Sequence, residues 1–357
     1  MQKYFFILCF QLACFFCSAQ QFPLNACDGP YVLYQNSHIV IKSINAASAP
    51  EIEAFNVSEK TKHPISIHFS NHTGWDFTVR LRDSILYEPD HFKAPKKVFA
   101  LSDIEGEFEA FRGLLISAGV MDSAYHWTFG KNALVICGDL FDRGQDVAAE
   151  LWLLYKLEDE ARAVGGYVHS ILGNHDIMNM SGDLRYLQPK YFEHAKIMGQ
   201  DYMDLYAANT ELGRWLRSKN IIEKIGDNLY LHGGVSPQML LAIDTLNYRF
   251  RPLYDKTKHA ESYYPFWYRG YFMEPRATES FIDSTLAFYH VSRIIVGHTI
   301  TDSNIASYYE GKVIGLDVNE HEGHSEAIVI EKNKIYTTDL TGKKKPIGEG
   351  PANPVVQ

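Results

Sequence analysis

Five short polar clusters stand out along the chain: Ser102-Asp103-Ile104-Glu105-Gly106, Gly138-Asp139-Leu140-Phe141-Asp142-Arg143-Gly144, Gly173-Asn174-His175-Asp176, His232-Gly233-Gly234 and Gly297-His298-Thr299. Their side chains are carboxylates, an amide, imidazoles and a guanidinium. Such groups hold divalent ions, move protons and grip anions. One cluster alone would say little, because a single Asp after a strand is more often a turn former or helix cap.

The five gain weight from the segments that precede them. V-F-A-L-S leads to Asp103, A-L-V-I-C-G to Asp139, Y-V-H-S-I-L-G to Asn174, L-Y-L to His232 and R-I-I-V-G to His298. Apolar runs this short fit strands buried on both faces. Helical patterns lie between them: Phe108, Phe111, Leu114 and Leu115 share one apolar face, and Leu151, Leu154, Tyr155 and Leu157 another. Alternating strands and helices predict an α/β sheet, whose ligands bind at the carboxyl ends of strands. All five clusters occupy that position.

In this order the clusters resemble the five blocks of the calcineurin-like metallophosphoesterases. Phe266-Trp267-Tyr268-Arg269-Gly270 and the Arg of Asp142-Arg143-Gly144 resemble the phosphoprotein-phosphatase branch, particularly its bacterial Shewanella-like subgroup. The resemblance covers about 97–340 and implies a four-layer α/β/β/α sandwich with two divalent metal ions. It implies Asp103 and Glu105 on the first ion, Asp139 bridging both, and Asn174, His232 and His298 on the second. Manganese is the first expectation, ahead of iron, zinc, magnesium or calcium. His175 would protonate the leaving oxygen, with Asp142 orienting it, and Arg143 and Arg269 would clamp phosphate. Water activated between the ions would hydrolyse phosphate monoesters, on a phosphorylated small molecule or a phosphoprotein, phosphotyrosine included.

The chain departs from the family at one ligand. The family has His at the second position of D-x-H, and here that position is Glu105. A carboxylate still binds a divalent ion, but makes the first pocket harder and more negative. Two other readings compete. One is a diadenosine-polyphosphate hydrolase, which shares the early blocks. The other is a non-enzymatic metal-binding protein on a degraded phosphatase scaffold, which would have no need of His175, Asp142, Arg143 or Arg269.

The remaining sequence sets the frame. The 357 residues are 46% hydrophobic and 22% charged, with a net charge of -9, so a sizeable core is expected and a general nucleic-acid binder is not. Lys3, the apolar run Tyr4 to Phe16 and Cys17-Ser18-Ala19 read as a signal peptide over 1–19. Export to the periplasm or outside is therefore expected, with no membrane attachment after cleavage. Of the five cysteines only Cys27 and Cys137 would remain, which make no disulfide framework.

Residues 20–96 read as a β-rich appendage, 97–340 as the catalytic domain and 341–357 as a flexible tail. In the appendage, Y-V-L-Y and H-I-V-I-K around Gln35-Asn36-Ser37 predict a hairpin, and I-S-I-H-F with W-D-F-T-V-R-L predict another strand pair. A helical insertion is expected between Asp183 and Asn220. The aromatic stretch 263–272 is either core or a rim for an aryl group. The tract Asn319-Glu320-His321-Glu322-Gly323-His324 is expected to be a solvated charged turn.

Overall fold

The short apolar runs form strands whose alternate side chains face two different cores. A computed structural model describes residues 25–255, 261–351 and 354; the expected signal peptide lies outside them. One mixed sheet has six strands in the order Lys345–Pro346, Lys334–Asp339, Glu326–Glu331, Lys97–Leu101, Ala133–Cys137 and Tyr167–Ile171. The last three are parallel to one another. A second has seven, in the order Gly348–Glu349, Ala306–Tyr308, Val313–Gly315, Arg293–Val296, Asn228–Leu231, Ile222–Ile225 and His91–Phe92.

The two-residue period of a strand explains the layers. Val98, Ala100, Val135 and Cys137 of the first sheet pack with Tyr230, Ile295 and Ile314 of the second in one buried cluster. Their neighbours Phe99, Leu101, Leu134, Ile136, Leu229 and Ile294 belong to a different cluster that includes the helices. Two sheets therefore meet face to face, with helices outside: the expected α/β/β/α arrangement. No helix among the described residues is long and apolar enough to cross a membrane.

The N-terminal strands form small antiparallel sheets. In the predicted hairpin Gln35 pairs with His38 across Asn36-Ser37, and Asn36 takes a φ of 54°. Pro64–Ile67 pairs with Phe77–Arg80. These sheets form the expected small β-rich appendage, and it is seated on the rest of the molecule, since Tyr31, Val32 and Ile39 join the helical core. The helix Val147–Val164 lies beneath them, and its Trp152 Nε1 donates to the Pro30 carbonyl at 2.8 Å. His91–Phe92 goes further and extends the second large sheet.

Cys27 and Cys137 are both free and buried. The insertion is helical, with Pro189–Ile197, Tyr202–Leu205 and Glu211–Arg217. The tail holds two short strands: Lys345–Pro346 pairs with Lys334–Asp339, and Gly348–Glu349 with Ala306–Tyr308. Within the segment expected to be a flexible tail, these four residues are thus edge strands.

Candidate active site

Each polar cluster emerges where a strand ends, and the backbone there is unusual. Asp103, Glu105, Asp139, Asp142, Arg143 and His298 all have positive φ, between 48° and 78°. Non-glycine residues rarely adopt this conformation, and its concentration here marks loops bent to aim side chains inward. Two glycines let the loops close. A Cβ on Gly173 would lie 2.2 Å from Asp139 Oδ1, and one on Gly297 would lie 1.9 Å from Ser102 Oγ.

The ten residues expected at the site come together. Asp103, Glu105, Asp139, Arg143, His175, Arg269 and His298 line one cavity of about 290 Å³. Asn174 and His232 lie deeper, almost fully buried. His232 uses Nδ1 to donate to the Cys137 carbonyl at 2.6 Å, which directs Nε2 at Asp139 Oδ2 and Asn174 Oδ1, each at 3.0 Å. The His298 backbone N–H donates to Asp103 Oδ2 at 3.0 Å.

Behind the cavity, His175 Nδ1 lies 2.6 Å from Asp142 Oδ2. The other oxygen of Asp142 accepts from Asn179 Nδ2 at 2.9 Å, and Asn179 accepts in turn from the Tyr202 hydroxyl. His175 Nε2 faces the carboxylates, 3.6 Å from Glu105 Oε1 and 3.9 Å from Asp139 Oδ2. Arg143 forms an ion pair with Glu105 Oε1. Arg269 Nη1 donates to Thr299 Oγ1 at 3.3 Å.

The charge balance fits bound cations. Two groups bring ligand atoms within 4.8 Å of one another: Asp139, His232 and His298, and Glu105, Asp139 and His175. Burial, with Asp139 nearby, raises the Asp103 carboxyl above its usual range. Burial would lower the His232 imidazole, but Asp139 and Asp103 outweigh it and lift it to about 9. Burial and Arg269 push the His298 imidazole well down, leaving it neutral, the form that ligates metal. Divalent ions would relieve the repulsion among the buried carboxylates.

Three participants had no role assigned from sequence. Asp317 lines the cavity, and burial followed by Asp103 pushes its carboxyl well up. Its signal was available, since V-I-G-L precedes it as other apolar runs precede the clusters. Asp176 accepts from the backbone N–H groups of Gly173, Asp139 and Leu140 at 2.7, 3.1 and 2.8 Å, tying two site loops together. His321 corrects the reading of its tract. The turn is real, with a 3-10 helix at Glu320–Glu322 and residues 321–324 exposed. Yet the His321 ring reaches the site, with Nε2 at 2.6 Å from Glu105 Oε2.

The aromatic stretch divides between both expectations. Phe266, Tyr271 and Phe272 are core. Tyr263, Trp267 and Tyr268 line a second cavity of about 670 Å³ that adjoins the first through Arg269.

Residues 96–302 match the family model for calcineurin-like phosphoesterases. The chain is 30% identical over 268 residues to an uncharacterized protein of Schizosaccharomyces pombe, covering 68% of this chain and 79% of that one. It is 27% identical over 323 residues to Shewanella-like protein phosphatase 2 of Arabidopsis thaliana, covering 71% and 82%. The crystal structure of a cold-active protein-tyrosine phosphatase from a psychrophilic Shewanella species superposes with a TM-score of 0.81 at 34% identity, over 90% of this chain and 99% of that one. The chain belongs to the calcineurin-like phosphoesterase family.

Proposed function

We propose that this calcineurin-like phosphoesterase is an exported hydrolase of phosphate monoesters, acting on phosphorylated proteins and on phosphotyrosine in particular. One observation carries the reading: Arg143, Arg269 and His175 line the same cavity as Asp103, Glu105, Asp139 and His298. Metal storage needs neither arginines nor an imidazole locked on a buried Asp. Phosphate hydrolysis uses both.

Asp103, Glu105 and Asp139 would hold a first ion, and Asp139, Asn174, His232 and His298 a second, with manganese first among the hard ions suited to so many oxygens. When bound, such ions supply positive charge for phosphate oxygens and lower the pKa of water. The chain does the rest. Arg143 and Arg269 present planar forks to the terminal phosphate, which a monoester fills with more charged oxygens than a diester. Asp142 fixes the ring of His175 so that Nε2 faces the cavity, and a proton there passes to the departing oxygen. Asn179 and Tyr202 keep Asp142 from turning away. Tyr263, Trp267 and Tyr268 give an aryl leaving group an apolar wall beside Arg269. The similarity to a Shewanella protein-tyrosine phosphatase supports this substrate class.

Export rests on Lys3 and the apolar run Tyr4 to Phe16. Sequencing the N-terminus of exported protein should find Gln20 or a neighbour first. For the activity, the Mn²⁺-loaded chain should be offered a phosphotyrosyl peptide, 4-nitrophenyl phosphate and diadenosine tetraphosphate. Fast release from the first two supports the proposal. Preference for the nucleotide would overturn it, as would hydrolysis of none.

A further inference from the structure

The position where this chain departs from its family has an unexpected neighbour. Glu105 is almost fully buried and its two oxygens have different company. Oε1 faces the cavity, beside Arg143 and within 3.6 Å of His175 Nε2. Oε2 is taken by His321 Nε2 at 2.6 Å, on a ring that lines the same cavity. His321 is held from behind, since its Nδ1 lies 2.8 Å from Glu107 Oε1. The ring is about a quarter exposed, whereas the Glu105 side chain is 2% exposed. A loop more than two hundred residues downstream thus closes a chain of three side chains, Glu107, His321 and Glu105.

We infer that His321 is a positioning residue for the first metal site, holding by Oε2 the carboxylate that stands where the family has an imidazole. The inference rests on the proposed dinuclear site. A carboxylate only accepts hydrogen bonds, so His321 Nε2 carries the proton at this contact. The bond occupies Oε2 and leaves Oε1 as the oxygen available to an ion beside Asp139. It also spreads the negative charge that three carboxylates place on one ion. Arg143 cannot do this while gripping phosphate, because it sits on Oε1. His321 sits on the other oxygen, Oε2, and can stay. Glu107 fixes the ring, as an outer partner fixes a ligand in many metal sites.

The test is Mn²⁺ binding to the metal-free full chain by calorimetry, with the thermal midpoint of each metal-free variant recorded. His321→Ala should weaken one of the two Mn²⁺ ions by roughly 10–100-fold and leave the other unchanged. His321→Gln, which keeps a donor, should bind within a few-fold of wild type, and serves if the alanine variant does not fold. Because His321 acts through Glu105, Glu105→Ala combined with His321→Ala should bind no more weakly than Glu105→Ala alone. Unchanged binding of both ions in His321→Ala would overturn the inference. So would full additivity in the double variant, which would make His321 a ligand in its own right. The proposed function fails separately: a wild type that binds two Mn²⁺ without hydrolysing monoesters defeats that reading alone, and one that binds none defeats both.

Discussion

His175 Nδ1 sits 2.6 Å from Asp142 Oδ2, and Asn179 holds the opposite oxygen of that carboxylate at 2.9 Å. The pair is buried, with His175 on the cavity wall and Asp142 behind it, so its orientation is set before any substrate arrives. An acid fixed in this way matters in proportion to how badly the leaving oxygen needs a proton. His175→Ala should lower turnover by ~10²–10⁴-fold on alkyl phosphates and by much less on 4-nitrophenyl phosphate. Metal content should stay at the wild-type level. A leaving-group series read alongside metal analysis checks this; equal losses across the series would remove the acid role.

Arg269 belongs to both cavities, beside the site carboxylates and along the aromatic wall. Its removal should cost monoesters more than diesters. Arg269→Ala is expected to lose more than about 1 kcal/mol of monoester transition-state binding. The monoester-to-diester ratio of kcat/KM should fall, and Arg269→Lys should recover only part of it, since a point charge lacks the fork.

Glu105→His tests the chemistry of the departure. Three carboxylates suit hard ions, and an imidazole shifts the site toward softer ones. The variant should bind Zn²⁺ more tightly relative to Mn²⁺ than wild type does, by competition calorimetry on metal-free chain. An unchanged ratio would mean that residue 105 does not face the ion.

A buried ion cluster ties the N-terminal segment to the catalytic helices. Lys219 Nζ lies 2.9 Å from Glu88 Oε1 and 2.5 Å from Glu158 Oε1, and Arg162 pairs with Glu88 at 2.7 Å. Burial would raise the Glu88 carboxyl, but Lys219 and then Arg162 outweigh it and bring it from 4.5 to about 2. The folded state therefore holds this proton less tightly than the unfolded chain. The stabilisation is complete above the unfolded value and is lost as pH falls from about 4.5 through about 2, amounting to about 3 kcal/mol. Glu88→Gln should flatten urea-melt stability across that window. Lys219→Ala takes one partner from each of two buried carboxylates, leaving Glu88 with Arg162 and Glu158 with Arg82, and should cost about 1–3 kcal/mol at neutral pH.

Much of this was written in the local pattern. Runs such as A-L-V-I-C announce buried strands, and a polar cluster after each announces a shared edge. Asp317 followed the same rule and could have been found. His321 could not, because its partner Glu105 is 216 residues away and a charged turn looks solvated until the fold brings the two together. The seating of the N-terminal sheets had one signal. Leu151-Trp152-Leu153-Leu154-Tyr155 leaves that stretch of the helix no polar face, as a stretch covered on both sides requires. The two-residue strands of the tail had none, being too short for any period to show.

The central claim is that this cavity hydrolyses phosphate monoesters with the help of bound ions. It is tested most directly by stripping the full chain of metal, returning Mn²⁺, and following 4-nitrophenyl phosphate and bis(4-nitrophenyl) phosphate while counting bound ions. The expected result is two ions per chain, monoester turnover that appears only as they bind, and a clear preference over the diester. Faster diester hydrolysis, or undiminished monoester turnover by the stripped chain, would contradict the account.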